Sequence, residues 1–93
     1  MSTDKSNVKK LEKILKALAN QRRLAIVSYL KTAGEANVGF IAAEIRLSFK
    51  STSRHLALLR AAGIVEREQR NLQAFYRITD SPEPIVERIL SGI

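Results

Sequence analysis

Apolar residues recur at helical spacing along the first third of the chain, separated by short polar breaks. A first helix over residues 5–19 is predicted by the spacing of Val8, Leu11, Leu15 and Leu18. A second helix over residues 21–32 follows, with Leu24, Val27 and Leu30 in line. Asn20 is a suitable N-cap for it, and Gly34 is a typical stop signal.

Two further helices are predicted on either side of the short connection Arg46-Leu47-Ser48. The third runs from about Gly39 to Arg46, and its inward positions are Phe40 or Ile41, Ala42 and Ile45. The fourth runs from Phe49 to Ala62, with Ser48 as its N-cap and Gly63 as its end. Residues 39–62 therefore form a helix-turn-helix unit.

The fourth helix has two distinct faces. Its buried stripe is predicted at Thr52, Leu56 and Leu59, which lie at i, i+4 and i+7. A second face is basic at its N-terminal end and small further along, and it contains Lys50, Ser53, Arg54, Ala57 and Ala61. Small residues let a helix lie deep in the major groove of DNA, where Arg and Ser reach base edges.

After Gly63 the pattern changes to one typical of strands. Residues 64–69 alternate weakly, and residues 74–78 (AFYRI) are rich in strand-forming residues. Arg70-Asn71 provides the turn, because Asn tolerates positive φ. Residues 64–78 therefore predict a β-hairpin with a basic tip. A last helix is predicted to begin at Asp80 or Ser81, with Pro82 in its first turn.

Composition narrows the class of partner. The chain has 93 residues with 16 Lys plus Arg against 9 Asp plus Glu, a net charge of +7, which favours a polyanionic partner. Arg46 to Ala62 contains four basic residues and no acid. No signal-peptide core or membrane-spanning run is evident, so a soluble cytoplasmic protein is expected, without a membrane partner.

The short length also predicts self-association. A single domain over residues 1–93 buries a limited fraction of its surface, and the chain has no Cys to add disulfides or thiolate metal sites. Pairing with a second copy would bury more apolar area. We therefore expect a homodimer.

Five stretches carry motifs that are shared with one known family. They are residues 15–26 (LKALANQRRLAI), 41–48 (IAAEIRLS), 51–56 (STSRHL), 59–65 (LRAAGIV) and 75–78 (FYRI). These resemble KALADPTRLRIL, LAEALGLS, STVSRHL, LREAGLV and YYRL of the arsenic-repressor (ArsR/SmtB-like) family. The resemblance covers about residues 8–78, nearly without gaps.

The resemblance implies a mainly α-helical winged helix-turn-helix protein with a small β-hairpin wing between its fourth and fifth helices. Members of this family are homodimers that repress promoters and release DNA when an effector binds. Their first and last helices build the dimer interface, which corresponds to residues 1–19 and 81–93 here. The interface residues implied are Val8, Leu11, Leu15, Ile85, Ile89 and Leu90.

The departures from the family concern the effector. Where metal-sensing members carry a Cys pair, this chain reads Glu35-Ala36-Asn37-Val38, and its single His, His55, lies within the fourth helix. No His/Cys ligand set for a soft metal can be assembled, so neither a metal site nor a cofactor is expected. Glu83 and Glu87 are read as a polar helix face. Arg46 replaces the usual Gly of the turn, and Phe49 replaces a usual polar residue.

Candidate DNA contacts come from the fourth helix and the hairpin. They are Ser48, Lys50, Ser51, Ser53, Arg54, His55, Arg60, Arg67 and Arg70. Arg54 is the strongest candidate, for a base or a phosphate. His55 has two possible roles, a phosphate contact or packing within the fold. Arg60 is either a phosphate contact or plain surface, and Arg23 is expected to brace helix packing.

These features predict a sequence-specific regulator that binds double-stranded operator DNA as a homodimer, acts as a repressor at an inverted repeat and does not respond to metals. The alternative is a winged helix that binds protein or RNA. The acid-free fourth helix favours DNA. An enzyme is not expected, because the chain has no catalytic motif. A small organic effector and constitutive repression remain equally open.

Overall fold

The computed structural model describes residues 5–93, which form five helices and one three-stranded sheet. The helices are α1 (Lys5–Leu18), α2 (Gln21–Ala33), α3 (Val38–Ile45), α4 (Phe49–Ala61) and α5 (Pro84–Ser91). The strands are β1 (Glu35–Asn37), β2 (Val65–Arg70) and β3 (Gln73–Ile78). The predicted order of helices and hairpin is therefore observed, with one additional strand.

Side-chain caps determine where α2 and α4 begin. The Asn20 side-chain oxygen accepts hydrogen bonds from the backbone N–H groups of Arg22 (3.0 Å) and Arg23 (3.1 Å). The Ser48 hydroxyl oxygen accepts one from the N–H of Ser51 at 3.1 Å. Each cap satisfies donors that the first helical turn leaves without intrahelical partners. The two predicted helix starts are thus observed, each with the predicted cap.

Between α3 and α4, the turn contains a left-handed residue. Arg46 has φ 56° and ψ 51°, and its backbone N–H donates to the carbonyls of Ala42 and Ala43. Glycine adopts this conformation most easily, so an arginine here accepts some backbone strain. The turn nevertheless keeps the geometry of a helix end, and Ser48 is positioned to cap α4.

The strand β1 was not predicted from the sequence. It pairs antiparallel with β3, Glu35 opposite Arg77 and Asn37 opposite Phe75, and gives a sheet in the order β1-β3-β2. Three residues are too few to show a period of two, and Asn37 also caps α3 through the N–H of Phe40. The predicted hairpin is observed, but its turn lies one residue later than Arg70-Asn71. Arg70 ends β2 opposite Gln73, and the turn is Asn71-Leu72, with Asn71 at φ 55°.

The core lies where α1, α2, α3 and α4 meet the sheet and α5. Thr52, Leu56 and Leu59 are fully buried, as the spacing on α4 predicts. On α3 the inward residue is Ile41, whereas Phe40 is exposed. On α1 the buried residues are Ile14, Ala17 and Leu18, so Ile14 is a core residue that the predicted stripe omitted.

The start of α5 differs from the prediction. The helix begins at Pro84 rather than near Asp80 or Ser81, and Glu83 occupies the cap position without a side-chain cap hydrogen bond. A residue that precedes proline is disfavoured in helical conformation, so Glu83 stays extended (φ −55°, ψ 144°). Ser81 has φ 53° and lies outside the helix. The second proline, and not the first, sets the helix start.

Candidate nucleic-acid interface

The helix α4 separates core packing from exposed cations. Its stripe of Thr52, Leu56 and Leu59 faces the interior, while Lys50 and Arg54 are exposed on the other side. Ser51 and Ser53 are half-buried beside them. No acidic residue lies in the first turn of the helix. The predicted basic face is therefore present as one continuous surface at the N-terminal end of α4.

Arg60 lies apart from this surface. It is exposed in the last turn of α4, six residues after Arg54, which corresponds to roughly 9 Å along the helix axis. Among residues 5–93, Lys50, Arg54 and Arg60 form no ion pair with a carboxylate. Their charges are thus available to a polyanion outside the protein.

His55 is engaged by a neighbouring arginine within the fold. The Nδ1 atom of His55 lies 3.2 Å from Nη1 of Arg23, and Arg23 Nε also donates to the carbonyl of Ala17 at 2.5 Å. Burial, and then the positive charges of Arg23 and Arg22, lower the pKa of His55. A neutral imidazole accepts from Arg23 through Nδ1. This contact favours the packing role of His55, and Arg23 joins α2 to the end of α1 and to α4.

Arg67 and Arg70 project from opposite faces of the hairpin, because they are three residues apart on one strand. The outer face of the hairpin carries a charge network of Glu35, Glu66, Glu68, Arg70 and Arg77. We call this set the outer ion network. It joins all three strands.

Arg70 lies at the centre of the outer ion network. Its guanidinium donates to Glu68 at 2.8 Å and to Glu35 at 3.0 Å, and it stacks on Phe75 with 4.8 Å to the ring centroid. Hydrogen bonds to Glu68 and Glu35 raise the pKa of Arg70, and the bond from Arg70 lowers the pKa of Glu68. The positive charge of Arg70 is therefore largely compensated within the protein.

Arg67 projects toward the helix-turn-helix unit. It donates to Gln69 at 2.7 Å and has no carboxylate partner among the described residues. Arg67 and Gln69 line an open groove of about 440 Å³ between the wing and the starts of α3 and α4. The groove is lined by Asn37, Val38, Gly39, Phe49, Arg67, Gln69, Leu72, Gln73 and Ala74.

The structure thus adds Phe49, Gln69 and Leu72 to the surface that the sequence indicated. Strand alternation is a sequence signal that places Arg67 and Arg70 on opposite faces of the hairpin. The pairing of Arg70 with Glu35 had no such signal, because 35 residues separate them.

The surface that α1 leaves uncovered is apolar. Val8 and Leu15 are 47% and 49% exposed, and with Leu11 and Ala19 they line a shallow hollow of about 420 Å³ along the helix. On α5, only Val86 is buried, whereas Ile85, Ile89 and Leu90 are half-buried at the edge of the core. These six predicted interface residues therefore retain accessible apolar surface.

Within residues 5–93, no group of three or more His, Cys, Asp or Glu side chains is placed to hold a metal ion. None of the helices described here has both the length and the apolar character that crossing a membrane requires.

Comparison with known proteins identifies the family. Residues 20–67 match the family described as "Bacterial regulatory protein, arsR family". The chain is 37% identical over 68 residues to the transcriptional activator HlyU of Vibrio cholerae, covering 73% of this chain. The chain belongs to the arsR family. The resemblance noted in the sequence is confirmed, and the family consists of regulatory proteins.

The other relatives of this arsR-family chain include a repressor. This chain is 37% identical to the biofilm growth-associated repressor of Xylella fastidiosa over 68 residues, which are 73% of this chain. The matched segment spans 62% of the Vibrio activator and 59% of the Xylella repressor, about three fifths of each.

Solved structures confirm the winged helix-turn-helix fold. A structure of V. cholerae HlyU superposes with a TM-score of 0.81 at 31% identity, over 96% of this chain and 92% of that one. The homodimeric winged helix-turn-helix DNA-binding domain Mb0332 of Mycobacterium bovis superposes with a TM-score of 0.83 at 29% identity, over 98% of this chain and 82% of that one. The predicted fold class is therefore confirmed.

Proposed function

We propose that this arsR-family chain regulates transcription by binding double-stranded operator DNA as a homodimer, with α4 in the major groove. The observation that carries the proposal is the exposed N-terminal face of α4, where Lys50 and Arg54 have no carboxylate partner among the described residues. Ser48, Ser51 and Ser53 add short hydroxyl donors beside them. Phosphates position such a helix, and base edges give it specificity.

The homodimer is supported by the apolar surfaces of α1 and α5. Exposed Val8 and Leu15 lie along α1, and a second copy would cover them. The M. bovis domain with the same fold is homodimeric. A two-fold dimer presents two copies of α4 to successive major grooves, about 34 Å apart. The operator is accordingly an inverted repeat with half-sites centred about 10 base pairs apart, or a somewhat wider multiple.

We propose repression as the outcome of binding, as in the Xylella relative, although the Vibrio relative is named an activator. The protein acts in the cytoplasm, where bacterial promoters are. Its DNA affinity does not respond to metals, because the donor set lacks thiolates and contains one engaged histidine.

The proposal is tested by selecting duplexes from a random DNA pool and measuring affinity for the enriched sequence against salt concentration. If each subunit neutralises about three to five phosphates, the log–log slope for the dimer lies near −5 to −9. Light scattering on the free protein should give twice the 10.4 kDa chain mass. Absence of any enriched duplex, or a slope near zero, would contradict DNA binding and favour a protein partner.

A further inference from the structure

Phe49 is an exposed aromatic residue within the cationic surface. It is the first residue of α4, its side chain is 63% exposed, and the buried core cluster of the described residues does not include it. Single exposed apolar residues are common on proteins, so exposure alone decides nothing. Its position decides more, because Phe49 follows the cap Ser48 directly and precedes Lys50 in the first turn of the helix.

The groove beside Phe49 is both apolar and positively charged. Phe49 and Leu72, which is 97% exposed at the tip of the wing, line the groove together with Arg67. Arg67 and Lys50 have no carboxylate partners among residues 5–93. A negatively charged nucleic-acid strand fits this surface better than an uncharged protein segment, because cations without carboxylate partners flank the exposed ring. We therefore assign the groove to a DNA strand that passes between α4 and the wing.

One base offers an apolar group to a ring in this position. In the major groove, thymine is the base that carries a methyl group, and apolar side chains contact that methyl. The N-terminal residues of a reading helix are those that contact base edges. A phenylalanine there has no hydrogen-bond donor or acceptor, so it can distinguish bases through this methyl group.

We propose that Phe49 contacts the 5-methyl group of one thymine in each operator half-site and thereby determines part of the sequence specificity. The inference rests on the proposed DNA-binding function. It predicts one T·A pair at a fixed, symmetry-related position in the enriched duplexes. The cations beside Phe49 supply affinity, and the ring supplies discrimination at this position.

The test replaces each thymine of the selected operator by deoxyuridine, which removes the methyl group and leaves the base pair unchanged. At one symmetric position the replacement should weaken binding of the unaltered protein about fourfold per half-site, as expected for one buried methyl group. In Phe49→Ala the same replacement should have no effect. In Phe49→Leu, which keeps an apolar side chain, part of the discrimination should remain.

Leu58→Ala is the matched control on the same helix. Leu58 is 53% exposed and follows Phe49 by nine residues, which places it about 180° around α4. This variant should keep the full response to deoxyuridine. Equal responses in the unaltered protein and in Phe49→Ala, or no response at any thymine of an enriched operator, would overturn the contact and leave DNA binding intact. Failure to enrich any duplex would instead overturn the proposed function and the contact with it.

Discussion

Two surfaces of this protein that carry basic side chains differ in how those charges are neutralised. On α4, Lys50 and Arg54 project outward without carboxylate partners among residues 5–93. On the outer face of the wing, Arg70 and Arg77 are bonded to glutamates of the outer ion network. In the sequence both regions offer basic residues, although Glu66 and Glu68 already stand among those of the wing. Only the first has charge to offer a polyanion, because the placement of carboxylates decides the local field.

One face of α4 packs in the core and the other is exposed, and the largest expected mutational effect, on the free energy of unfolding, distinguishes the two faces. Leu56 is fully buried, so Leu56→Ala should lower the free energy of unfolding by about 2–5 kcal/mol. Leu58 is exposed on the same helix, and Leu58→Ala should cost about 0.5 kcal/mol or less. Chemical denaturation measures both. Equal losses would show that α4 is not divided into an interior and an exterior face.

Arg54→Ala tests the exterior face. The variant should keep the stability of the parent, because Arg54 is exposed and has no ion-pair partner among the described residues. If Arg54 reads a guanine edge, operator affinity should fall by about 1–3 kcal/mol and preference should relax at one base position. If it binds a phosphate, all sequences should weaken alike and the salt slope should fall by about one per site.

Fluorescence anisotropy with the operator and with unrelated duplexes distinguishes these two outcomes. A folded Arg54→Ala protein that binds its operator as the parent does would remove α4 from the reading role. The winged helix-turn-helix fold would then stand without the proposed mode of DNA binding.

Arg67→Ala and Arg70→Ala compare the two faces of the wing directly. Arg67 is free of carboxylates in the described part of the chain, and its loss should lower the salt slope by about one per site. Arg70 is paired with Glu35 and Glu68, so Arg70→Ala should leave the slope unchanged. Exposed ion pairs contribute about 0–1 kcal/mol to stability, so both variants should remain folded. A larger loss of DNA affinity in Arg70→Ala would reverse the assignment of the two faces.

Local chemistry explains which parts of the fold were predictable. Asn20 and Ser48 cap helices through bonds to residues two or three positions away, so the sequence contains the whole signal. The strand β1 depends on pairing with Phe75, Tyr76 and Arg77, about 40 residues later, and its three residues carry no pattern of their own. The start of α5 is ambiguous in the sequence, because Pro82 and Pro84 are both suited to a first helical turn, and the structure places Pro84 there.

For the candidate site, too, features set by neighbouring residues were predictable and contacts between distant residues were not. Helical periodicity was enough to group Lys50 and Arg54 on one face opposite Leu56. Pairing of Arg70 with Glu68, two residues away on the same strand face, follows from strand alternation, whereas Glu35 reaches Arg70 only through the sheet. The Arg23–His55 contact likewise joins residues 32 positions apart. Charge patterning therefore located the basic helix, but it could not show the contacts that the fold makes between residues distant in sequence.

The smallest expected effect is on the pH dependence of stability, which differs between His55 on α4 and the glutamates of the outer ion network. His55 is the single histidine of the chain, and burial together with Arg23 and Arg22 lowers its pKa in the folded protein. The unfolded chain, with a histidine pKa of about 6.5, then binds the proton more readily. Stability is therefore fully present above about pH 6.5 and falls as the pH drops toward the lower folded-state pKa.

The outer ion network responds in a different range. Hydrogen bonds from the Asp80 backbone and from Arg70 lower the pKa of Glu66 and Glu68, respectively, so their contribution is lost only below the ordinary glutamate value of about 4.3. Denaturation of the DNA-free protein at pH 7.5 and pH 5.5 should thus show a modest loss that His55→Gln abolishes, since Gln keeps an acceptor for Arg23 but does not titrate. An undiminished loss in His55→Gln would place the titrating group elsewhere and contradict a neutral His55 in the Arg23 contact.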